Sequence, residues 1–126
     1  MMAPDALKQD DQEHPVPEPW RDVFRRIACA FAEGDYQLSR HRIEHVAPID
    51  AATALWIADC VAAYGAALAP LDESTWERSC YRWMEDHWLV LVDLTTDQEM
   101  VSDLTLHAAV RTAPVPLIEV RSVHVP

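Results

Sequence analysis

Two histidines four residues apart with a glutamate between them, His41-Arg42-Ile43-Glu44-His45, have the spacing by which one helical turn can offer two imidazoles to zinc and a carboxylate as base. Such a centre needs the motif on a stable helix and a third ligand. Pro48 lies just downstream and the segment has little apolar periodicity, so the competing reading is a charged connecting segment, and neither metal nor cofactor is expected. Cys80, Asp93 and His107 are a nucleophile, an acid and a base that an antiparallel register brings to neighbouring strands. A carboxylate beside a thiol disfavours the thiolate, so His107 would have to lie between them; the alternative is a half-buried cysteine. No catalytic residue is expected.

Other side chains suit recognition better than catalysis. Trp20, Trp56, Trp83 and Trp88 fall on expected core faces, whereas Trp76 sits beside Glu73, Glu77 and Arg78, as an anchor for a partner or a lid over a helix end. Ser74 and Glu77 have capping-box spacing, so a short helical turn there is an equal alternative. Ten basic residues against 21 acidic ones give a formal charge of -11. That charge repels phosphate backbones and anionic lipid, so nucleic-acid and membrane partners are excluded, and it favours a basic protein partner or simple solubility. No segment approaches the roughly 20 apolar residues that cross a bilayer, and no leader pattern opens the chain. With three widely spaced cysteines, Cys29, Cys60 and Cys80, the expectation is a reduced, cytoplasmic protein.

The elements that must position these residues change period near the middle of the chain. Residues 1–17, with Asp5, Asp10, Asp11, Glu13 and three prolines, read as a disordered acidic tail, and 18–126 as a single α+β domain. From Pro19, the residues Trp20, Val23, Phe24, Ile27, Ala28 and Phe31 recur on one helix face, and Gly34 ends that helix. Residues 35–49 read mostly as loop. Asp50 caps a second helix, Ala51 to Tyr64, which is apolar nearly all round and is expected to be the more buried of the two. Alternation then predicts strands at 79–84, 88–95, 102–111 and 117–125. The expected fold is two helices packed on one face of a four-stranded antiparallel meander sheet.

Register follows from the pattern, because a slip of one residue would put a whole apolar set in water. The predicted alignment sets Tyr81 and Trp83 against Val92 and Val90, then Val92 and Leu94 against Leu106 and Leu104, beneath the helices. The opposite face carries Arg82, Leu89, Leu91, Asp93, Asp103 and His107. Exposed leucines among charges suit a binding surface with a polar rim; the alternative is a solvated face with Arg82 and Asp93 as a weak pair.

Trp20-Arg-Asp-Val-Phe leading to Glu33-Gly-Asp-Tyr36, then Trp88-Leu-Val-Leu-Val-Asp-Leu94, Ser102-Asp-Leu104 and Val123-His-Val-Pro126, resembles an uncharacterised group of small bacterial proteins. Small acidic α+β proteins of this type are similar to the immunity proteins that accompany bacterial toxins, which implies a protein partner. The expected function is a non-enzymatic, immunity- or antitoxin-like module that occludes a basic toxin domain. Asp86, Asp93, Asp97, Glu99 and Asp103 would steer the encounter, and Trp76, Leu89 or Leu91 would anchor it. The alternative is a small-ligand or enzymatic pocket between helices and sheet, as in cystatin-like and nuclear-transport-factor-like folds, using Asp59, Tyr81 and Ser79. A homodimer through the leucine-bearing face is a third arrangement.

Overall fold

A computed structural model of the chain describes residues 7–126. Helix α1, Glu18–Ala32, starts where Pro19 fits a first turn that needs no amide donor, and buries Trp20, Phe24, Ile27, Ala28 and Phe31 along one stripe. Gly34, at φ 81°, turns the chain off its end. Helix α2, Ala51–Tyr64, is capped by the Asp50 carboxylate, which accepts from the Thr53 amide at 2.7 Å, and it stops at Gly65 in the left-handed region.

The main sheet has five antiparallel strands in the order β1 (His14–Pro15), β3 (Cys80–Trp83), β4 (Trp88–Asp93), β6 (Thr105–Arg111), β7 (Leu117–His124). A ribbon of β2 (Leu68–Ala69) with β5 (Thr95–Thr96) stands beside it. The strands expected from alternation form the meander β3-β4-β6-β7, and the fifth strand comes from the N-terminal segment. That corrects the tail: residues 1–6 lie outside the described residues, but 7–17 are laid on the sheet. Val16 is fully buried, the Lys8 amide donates to the Tyr81 hydroxyl at 2.9 Å, and Trp88 Nε1 donates to the Lys8 carbonyl at 3.0 Å. An unpaired edge at β3 and two buried aromatic rings with polar ends draw the segment down despite its acidic composition.

Tyr81 pairs with Val90 and Trp83 with Trp88, two residues from the expected alignment, while Val92 opposes Leu106 as expected. The slip comes from a tight turn in which the Met84 amide bonds to the His87 carbonyl at 2.8 Å and Glu85 takes φ 72°. An even slip leaves every side chain on its face, so Val90, Val92, Leu106, Ala108 and Val110 all lie under α1, each fully buried. A bulge opposite His107 and Ala108 inserts Arg121 into β7, which lets Val120 and Val123 both reach the core.

Helix α2 lies along β7 and not across the sheet. Only Ala54, Ile57 and Val61 are buried, while Leu55 is 64% and Trp56 48% exposed. The expectations that α2 would be the more buried helix and that Trp56 would be core are therefore corrected. A helix set against a strand edge is covered along one narrow stripe, whatever its composition.

Candidate functional site

The sheet face turned away from α1 is built by the alternate residues of the same strands. Across it run three rows: Cys80, Leu91, His107 and Ser122; Arg82, Leu89, Ala109 and Glu119; and Asp93, Thr105 and His124. The His107 ring stacks on His124 with centroids 4.4 Å apart and planes 11° apart, and His124 stacks on Trp56 of α2 at 5.8 Å. Leu91 adjoins His107, so Leu91, His107, His124 and Trp56 form one continuous ribbon from β4 to α2. Burial first, then the neighbouring His124 charge, hold the His107 pKa below its ordinary value, so the ring is neutral at neutral pH. Two of the ring nitrogens, His107 Nε2 and His124 Nδ1, are buried without a hydrogen-bond partner among the described residues.

Beside the ribbon lies a groove of about 460 Å³ whose charged lining is Glu13, Asp93 and Asp103 against a single cation, Arg78. Asp93 is held in place by the Thr105 hydroxyl at 2.9 Å and by Arg78 at 3.3 Å, not by Arg82. Cys80 donates its S–H to Glu13 at 3.2 Å. Burial, and then Glu13, push that thiol up to about 12, so it does not supply a thiolate at neutral pH. With the Cys80 hydrogen bound to Glu13 and His107 Nε2 unpartnered, the three groups singled out as nucleophile, acid and base do not assemble into a relay.

The remaining expected site residues separate. Arg82, Leu89, Leu91, Asp93, Asp103 and His107 share the outer face or its rim. Asp86 is at the hairpin tip, bonded to His87 at 2.6 Å. Asp97 accepts from the Ala67 amide at 3.2 Å and Glu99 from the Tyr64 hydroxyl at 2.5 Å, clipping the end of α2 to the loop after β5. Trp76 is 5% exposed, in a 3-10 turn (Glu73–Glu77) capped by Asp72. Arg21 and Arg25 stand over its ring at 5.3 and 5.5 Å, and Arg25 forks onto Glu73. That indole is a lid against α1 and offers no exposed anchor. Trp56, His124 and Glu13 were not legible as site residues, although the stripe Ala54, Ile57, Val61 leaves Trp56 facing another way, a signal available from helical period alone.

His41 and His45 lie in a loop, with His45 at φ 66°, so they do not share a helix turn. His41 is instead held between Asp35 at 2.8 Å and Glu33. Among the described residues no group of three or more His, Cys, Asp or Glu side chains is placed to hold a metal. The polar groups of the alternative pocket between helices and sheet are placed otherwise: Asp59 faces solvent, Tyr81 is taken up by Lys8, and Ser79 bonds Thr75 and the Asp93 amide. Aromatic and branched side chains fill the space itself.

Fold and face together define a small α+β domain whose sheet is covered on one side and carries a mixed aromatic and acidic surface on the other. Residues 28–126 match the family described as a domain of unknown function (DUF7668), and the chain belongs to that family. Neither a curated protein nor a solved structure matches the chain. Among the described residues no helix is long and apolar enough to cross a membrane.

Proposed function

We propose that the chain is a non-enzymatic protein-binding module of the immunity or antitoxin type, which covers a basic surface of its partner with the outer sheet face. The observation that carries this reading is the ribbon from Leu91 to Trp56 lying directly beside a groove with three carboxylates and one arginine. An apolar strip with a charged margin is the composition of a recognition surface. The ribbon supplies desolvated contacts, with Trp56 as the exposed aromatic anchor that Trp76 cannot be. Glu13 and Asp103 would receive a partner lysine or arginine, and the overall charge of -11 speeds encounter with a basic protein.

The test is co-expression of the full chain with the product of the gene immediately upstream, followed by size exclusion. A complex that Trp56→Ala with Leu91→Ala abolishes, that forms more slowly as salt rises, and that Glu44→Ala on the far loop leaves intact supports the reading. A complex insensitive to both the double variant and salt defeats it. Self-association lost in the same double variant would assign the face to a homodimer instead.

A further inference from the structure

The long connection between α1 and α2 encloses a second concavity, of about 500 Å³, which takes no part in the outer face. Its floor is Leu38, Ile43, Val46 and Ile49. Gln37, Ser39 and Arg42 supply its polar lining. The volume falls within the range of small-molecule sites, and an apolar bed with a few polar groups is their usual lining.

Three features tie down the connection that lines the groove. Asp35 gathers the amides of Ser39, Arg40 and His41 at its near end. At the far end Ile118 donates to the His45 carbonyl at 2.7 Å, and Ala47 donates to the Ile118 carbonyl at 2.9 Å. Leu38 and His45, one at each end, both occupy the left-handed region, at φ 57° and 66°. Non-glycine residues persist there only where their surroundings hold them, and such positions gather at ligand sites.

The charge at the margin selects the occupant. Arg42 is exposed, and among the described residues the arginine ion pairs are those of Arg21, Arg25, Arg26, Arg78 and Arg111, so Arg42 has none. Its neighbouring carboxylates are engaged elsewhere: Glu33 and Asp35 with His41, Glu44 with His45. An unneutralised guanidinium at the lip of an apolar trough, in a chain with twice as many acids as bases, matches a ligand with one anionic head and an apolar body. We propose that this groove binds a small amphipathic carboxylate, its hydrocarbon part on Leu38, Ile43, Val46 and Ile49 and its head on Arg42.

The probe is octanoate, titrated into the isotope-labelled full chain while amide shifts are followed. The expected result is saturable shifts at Leu38, Ile43, Val46 and Ile49. Losing one charge-assisted contact should make Arg42→Gln bind about tenfold more weakly, and octanol, which has no charge, should bind the native chain about tenfold more weakly than octanoate. Arg42 is exposed, so the variant should unfold at the native temperature. Absent or unsaturable shifts, shifts confined to the outer sheet face, or equal binding by the variant would overturn the proposal. An acidic peptide that shifts these amides where octanoate does not would also overturn it, in favour of a protein ligand.

Discussion

Changing Asp35 to asparagine removes one charge and almost no volume, yet the response should be large, because this carboxylate organises the whole connection between the helices. It is 4% exposed and accepts from the amides of Ser39 at 3.0 Å, Arg40 at 2.9 Å and His41 at 2.9 Å, from the Ser39 hydroxyl at 3.2 Å, and from His41 Nδ1 at 2.8 Å. Burial is the largest single influence and opposes ionisation. The hydrogen bonds from His41, Arg40 and Ser39 together outweigh it and hold the carboxyl well below the usual carboxylate range. An asparagine has one accepting oxygen in place of two, and its own N–H groups would confront donors, so at least two donors lose their acceptor. At about 1 to 3 kcal/mol for each donor left unmet, reduced by nearby solvent, the variant should be destabilised by about 2 to 4 kcal/mol. In a domain of this size that is a fall in Tm of roughly 10 °C. Urea and thermal unfolding followed by circular dichroism give the magnitude, and hydrogen exchange at residues 39–41 locates it. A loss below about 1 kcal/mol with those amides still protected would refute the account, since that is less than one unmet donor costs.

The same cluster sets a pH dependence. The His41 pKa is raised by Asp35 and then by Glu33, so its contribution is present below the unfolded value of about 6.5 and is lost as pH rises through the folded value. Asp35, lowered, contributes above about pH 4 and loses that contribution only as pH falls through its folded value. His107 works in the opposite sense to His41, because a depressed histidine favours folding more as pH rises. The His41 share is therefore read as the Tm difference between the native chain and His41→Gln, which should narrow as pH rises above about 6.5; a constant difference would count against it. On the sheet, Leu106→Ala under α1 should cost about 2 to 5 kcal/mol and Leu91→Ala on the outer face well under half of that, since only the first leaves a cavity. Equal losses in chemical denaturation would mean that the two faces have been assigned the wrong way round.

The division of the sheet into two faces was legible because strand period is a local property. Leu89, Leu91, Asp93 and His107 alternate with Val90, Val92, Leu106 and Ala108, and even the two-residue error at Tyr81 and Trp83 left that division intact. What covers each face is not written in the period. Trp76 and Trp56 exchanged roles because exposure depends on what packs against a ring: two arginines of α1 close over Trp76, while α2, set along the edge of β7, leaves Trp56 outside. His124 joins His107 through a bulge in β7, which no alternation rule signals.

By itself the amino-acid order determined the helix stripe from Trp20 to Phe31, the caps at Asp50 and Gly65, the strand faces and the acidic balance, since each follows from neighbours a few residues apart. The tertiary structure alone decided that residues 7–17 close the β3 edge, that Asp35 gathers a loop, and that a histidine pair meets a tryptophan on the free face. Those outcomes bring together groups up to 80 residues apart, where the deciding quantities are unmatched hydrogen-bond donors, open strand edges and space left to fill.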